Sequence, residues 1–112
     1  MAPPRRPGES MRDYIQDVAP KLVQLTEEVI YGDLWEREGL SKRDRSLISV
    51  AALVALNRTD QLPIHFQRAL TNGVTPAELA ELITHLAFYS GWPTAMTAFE
   101  IAKEGDFIRP AE

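Results

Sequence analysis

The chain has 112 residues, 45% of them hydrophobic and 25% charged, with a formal net charge of −4 and no cysteine. That length and balance fit one domain with a packed core, and they exclude disorder beyond the first residues. Basic residues scattered among acids leave no stripe to follow a phosphate backbone, and the missing thiols remove disulfides, thiolate metal sites and thiol redox chemistry together.

Met1 to Ser10 hold three of the eight prolines and nothing to bury, so residues 1–12 read as a mobile tail before a helical domain over 13–112. The segment has no apolar h-region, and the longest nearly apolar run, Leu47 to Leu56, is too short for a bilayer. A cytoplasmic protein without a membrane partner is expected. Ser10 or Asp13 opens a short helical turn through Tyr14 and Ile15. Pro20 suits the first turn of a firmer helix carrying Leu22, Leu25, Val29 and Ile30 and ending at Gly32. Asp33 to Gly39 connects, with Leu34 and Trp35 as apolar anchors.

Ser41 followed by Asp44 predicts the next helix start, and Leu47 to Leu56 leave that helix almost no polar face. Burial on every side is expected, which a lone small bundle struggles to provide. Asn57 is the left-handed stop, Asp60 the cap of the following helix and Gly73 its end. Thr75, Pro76 and Glu78 give cap, first-turn proline and capping-box acid for a helix that Gly91 stops. Trp92 and Pro93 open a last helix carrying Ala95, Met96, Phe99, Ile101 and Ala102 and closed by Gly105. The expectation is an all-α, single-domain bundle of five helices, six with the turn at Ser10, and no strand.

At about 100° per residue, Leu62, Phe66, Ala69 and Leu70 share one stripe, with His65 on its edge and Gln61 one turn earlier. His65 is either a hydrogen-bonded histidine at a packed edge or a general acid or base. Glu78, His85 and Tyr89 follow one another beside the stripe of Leu79, Leu82, Ile83 and Leu86, so Glu78 or Tyr89 is placed to orient His85; the same spacing describes any polar helix margin. Phe88 and Ile64 stand on nominally wet faces, which suggests subunit contacts. The two histidines form no i, i+4 pair and no HExxH, so no metal site is expected, and no glycine-rich nucleotide cradle is present.

Three segments in order, Gly39-Leu40-Ser41 leading into Arg43-Asp44-Arg45-Ser46, His65 within LPIHFQRALTNGVT, and HLAFYSGWP from His85 to Pro93, resemble the carboxymuconolactone decarboxylase family. The resemblance implies an alkyl hydroperoxidase D-like helical fold, a homo-oligomer of trimers or hexamers with sites near subunit contacts, and cofactor-free lyase or isomerase chemistry on a small lactone or carboxylic acid. The peroxidase branch of that family uses a CxxC pair, a histidine and an upstream glutamate. With His65 on that histidine, Arg58 and Gln61 stand where the cysteines would be and Ser46 where the glutamate would be. No thiolate is present to attack a peroxide, so thiol peroxidase activity is excluded. The segment before Lys21 departs from the extension of the true decarboxylases, which leaves the substrate open.

The roles implied for an enzyme are His65 as proton donor or acceptor and Arg45 or Arg58 holding a carboxylate. His85 and Tyr89 serve proton transfer or oxyanion stabilisation, Gln61 borders the substrate, and Trp35 and Trp92 are flat apolar walls, or plain core packing. The alternative is a non-catalytic oligomer of the same fold that holds a small organic ligand.

Overall fold

The computed structural model describes residues 3–110, which form six α-helices and no strand. Contacts divide the chain between Glu38 and Gly39 into two compact units.

In the first unit, Ser10 Oγ accepts from the Asp13 N–H at 3.0 Å and so caps α1 (Met11–Ile15). Pro20 opens α2 (Pro20–Leu25), which continues as a π-helical segment, Thr26–Tyr31, up to Gly32. Thr26 Oγ1 donates to the Leu22 carbonyl at 2.8 Å, a bond that competes with regular α pairing just where the ladder widens. The π turn also presses backbone onto Gly32, where a Cβ would lie 2.8 Å from the carbonyl oxygens of both Glu27 and Glu28. The apolar stripe expected here is corrected: Val23 is the buried residue of α2, while Leu22, Leu25, Val29 and Ile30 are 40–57% exposed. The wider turn carries Val29 and Ile30 round from the face that Leu22 and Leu25 share, while those two precede it and are exposed on regular helix. A 3₁₀ turn, Leu34–Glu36, follows, with Trp35 buried and its ring centroid 6.1 Å from that of Tyr31.

The second unit is a four-helix bundle of α3 (Lys42–Ala55), α4 (Leu62–Thr71), α5 (Pro76–Leu86) and α6 (Trp92–Glu104). α3 packs on the other three, and α6 packs on α4 and α5. The core takes Val50 and Val54 from α3, Leu62, Phe66 and Ala69 from α4, and Leu79 and Ile83 from α5. α6 supplies the small residues Ala95, Ala98 and Ala102, which let it approach closely, while Met96, expected inside, is exposed.

Helix starts follow local chemistry. Ser41 Oγ accepts from the Asp44 N–H, and Thr75 and Glu78 close a reciprocal capping box. Asp60 is not a cap: α4 begins from Gln61 without a side-chain bond and carries Pro63 in its first turn. Three helices end alike, with the left-handed residues Asn57, Gly73 and Asp106 each followed by a backbone N–H that reaches back five residues. For α6 that residue is Asp106 rather than Gly105. α5 stops at Leu86 instead of running to Gly91, which at φ 118° is the N-cap of α6. α3 buries Ser46, Val50 and Val54, whereas Ile48, Ala52, Ala55 and Leu56 make one outward face, so it is not covered on all sides within the chain.

Candidate functional site

His65 sits where α4 turns from its buried stripe toward solvent. Its N–H donates to the Gln61 carbonyl at 3.2 Å and the Gln61 N–H to the Arg58 carbonyl at 3.2 Å, so the three residues mark consecutive turns at the α3–α4 connection. The side chain is half-buried, while Gln61 and Arg58 are exposed. Burial first, and the Arg68 guanidinium second, push the imidazole below its ordinary value of 6.5. Both effects favour the neutral ring over the protonated one.

Further along the same edge stand Arg68 and Asn72, three and seven residues beyond His65. Asn72 Nδ2 donates to the hydroxyl of Ser46 at 3.0 Å, and Ser46 is fully buried on α3. A polar row of Gln61, His65, Arg68 and Asn72 thus ends on a bond between α4 and α3. The sequence reading singled out neither Arg68 nor Asn72. The i+3 and i+7 spacing from His65 was the available signal for both. Arg45, next to Ser46 in α3, is half-buried.

The second histidine belongs to a different surface. The rings of His85 and Tyr89 stack with centroids 4.6 Å apart and planes 18° apart, and both are exposed. Of the two residues expected beside His85, Tyr89 is the one whose ring lies against it. Glu78 is occupied elsewhere: it accepts from the Thr75 N–H at 3.0 Å and pairs with Arg43 on α3. Those two contacts, the Thr75 N–H first, hold its carboxyl below the ordinary 4.5. A groove of about 360 Å³ between α3 and α5 carries Glu78, Glu81 and His85 over Leu47, Leu82 and Leu86. Phe88 and Trp92 meet edge to face at 5.8 Å and are 75% and 60% exposed. The candidate residues thus fall into an α4 edge around His65 and an α5 margin around His85, with Trp35 in the other compact unit. Among the described residues no group of three or more His, Asp or Glu side chains is placed to hold a metal ion, and no helix is long and apolar enough to cross a membrane.

The sequence profile described as "Carboxymuconolactone decarboxylase family" matches residues 20–104. A 4-carboxymuconolactone decarboxylase of Acinetobacter baylyi is 38% identical over 96 residues, covering 86% of this chain and 69% of that protein. A nitrosuccinic acid decarboxylase of Metarhizium robertsii is 30% identical over 95 residues, covering 78% and 66%. An uncharacterised 15.0 kDa protein of Paracoccus denitrificans is 32% identical over 78 residues, covering 68% and 58%. The chain spans between 58% and 69% of the lengths of these relatives.

Proposed function

The chain belongs to the carboxymuconolactone decarboxylase family, and from that premise we propose that it removes carbon dioxide from a small carboxylic or lactone acid, with His65 moving the proton. The observation that carries this reading is that two relatives with different substrates in their names share one reaction, decarboxylation. Those substrates are chemically alike. In each, a carboxylate lies within reach of an electron-withdrawing group, an unsaturated lactone in one and a nitro group in the other. When the carbon–carboxyl bond breaks, its electron pair passes to the remaining carbon and is delocalised toward that group. Carbon dioxide leaves, and the carbon must then accept one proton.

A histidine suits that last step. In this step His65 first takes a proton from water, against the burial that favours its neutral ring, then passes it from the ring nitrogen to the carbanion and is neutral again, so one proton is consumed per turnover. Arg45 or Arg58 is the counter-ion for the substrate carboxylate, and the lack of cysteine leaves a thiol peroxidase step without its nucleophile. The outward apolar face of α3 and the exposed Phe88 and Trp92 support assembly as a homo-oligomer, a trimer or hexamer.

The direct test is carbon dioxide release from 4-carboxymuconolactone and from nitrosuccinic acid, with His65→Gln as the comparison. Turnover of at least one acid, reduced by roughly 10²- to 10⁴-fold in the variant, is the expected result. Binding of both acids without conversion by the wild-type chain would instead favour the non-catalytic ligand-binding protein.

A further inference from the structure

Among the described residues, Ser46 is the one polar residue of the buried set, 1% exposed on a face that α3 otherwise fills with Val50 and Val54. A hydroxyl in a core needs a hydrogen-bond partner, a demand that alanine at the same place would not make. The partner is Asn72, whose Nδ2 donates to Ser46 Oγ at 3.0 Å. Asn72 is itself anchored. Its backbone N–H donates to the Arg68 carbonyl at 2.9 Å as it ends α4, Gly73 follows at φ 99°, and the Val74 N–H returns to the Ala69 carbonyl at 2.9 Å. The side-chain bond therefore joins two fixed points on neighbouring helices.

Apolar contact alone leaves a helix more freedom than that. α4 buries Leu62, Phe66 and Ala69, and burial of this kind is non-directional, so it tolerates a small roll of the helix about its axis. No side-chain bond caps the start of α4 at Gln61. A hydrogen bond weakens steeply as its angle departs from linear, so the bond to Ser46 selects one rotation. His65 stands on the same edge as Asn72, seven residues or two turns earlier. Side-chain tips lie about 5–6 Å from a helix axis, so a roll of about 10° would displace the imidazole by about 1 Å. A misplacement of that size can cost a reaction about 100-fold.

We propose that Ser46 and Asn72 are a positioning pair, whose hydrogen bond sets the rotation of α4 and so holds the His65 imidazole at the depth from which it meets the substrate. The inference rests on the reading of His65 as the carrier of the proton, and deepens it; neither member of the pair touches the substrate. Depth matters to the ring's chemistry, because burial is the larger of the two effects that favour its neutral form.

The test follows the His65 ring resonances through a pH titration of the full chain, beside decarboxylation kinetics. Ser46→Ala strands only a half-buried amide that water can serve, and it should move the His65 titration upward toward the ordinary 6.5 as the ring gains solvent. The same variant should lower kcat by about 10- to 100-fold with little change in KM. Asn72→Ala leaves the buried hydroxyl without its partner and should melt earlier. Adding Ser46→Ala to it should restore the melting temperature but neither kcat nor the wild-type titration, which separates position from stability. Thr75→Ala, which weakens the start of α5, is the control that should lose stability and leave His65 as it was. If Ser46→Ala does not fold, Asn72→Ser, which leaves the core side chains intact, is held to the same readouts. A folded variant with the wild-type His65 titration, or a raised KM at unchanged kcat, would overturn the pair. Failure of every acid to turn over would sink the decarboxylase reading, and the ring resonances would still decide whether the pair sets the depth of His65.

Discussion

His65 links stability to pH in a direction that can be worked out. Burial and Arg68 lower its proton affinity in the folded chain, so between pH 7 and acid the unfolded chain binds more protons. The stability associated with the neutral ring is therefore complete above the unfolded value near 6.5 and is lost as pH falls through the lower folded value. Thermal melts of the wild type should weaken below about pH 6.5 more steeply than those of His65→Gln, which cannot titrate; parallel curves would contradict the burial of this ring. A second residue-scale outcome concerns Gly105. Its φ of −84° suits any residue, but a Cβ there would overlap the Phe107 ring. Gly105→Ala should cost about 1–3 kcal/mol in denaturant unfolding, and markedly less in a Phe107→Ala background where the clash has gone.

Among the elements, α5 has the most complete start, since Thr75 and Glu78 satisfy each other's backbone N–H groups. Thr75→Ala should cost about 0.5–2 kcal/mol in chemical denaturation, and Thr75→Ser close to nothing. The two starts read from serine or threonine caps in the second unit, Ser41 and Thr75, were legible because a cap is a contract among residues three positions apart. The π-helical continuation of α2 was not legible: its sequence, Thr26–Tyr31, reads as ordinary helix, and Thr26 with Gly32 explain the wider turn only once their carbonyl contacts are seen. Gly91 was misassigned for a related reason. A glycine at φ 118° can follow one helix or precede another, and α5 had already ended at Leu86, whose carbonyl takes the Ser90 N–H at 2.7 Å.

At the scale of the whole molecule, the proposed assembly has a measurable consequence. Ile48 and Leu56 are 56% and 65% exposed on the same face of α3, and a charge placed there would be buried if copies associate through it. Light scattering should give at least three times the 12.6 kDa chain mass for the wild type, and a lower mass for Ile48→Glu with its helical content retained. A wild-type mass of 12.6 kDa at every concentration would refute association.

Sequence alone determined that the chain is helical, where α3, α5 and α6 begin, and that no thiol can react, because these follow from covalent composition and from bonds between near neighbours in the chain. It also placed His65 at the margin of a buried stripe. Tertiary structure alone decided what surrounds that margin: Ser46 and Asn72, 26 positions apart, share a hydrogen bond, and Phe107 folds onto Phe66. Periodicity tells which way a side chain faces along its own helix. Which helix or chain end is packed opposite it depends on how all the faces are buried at once.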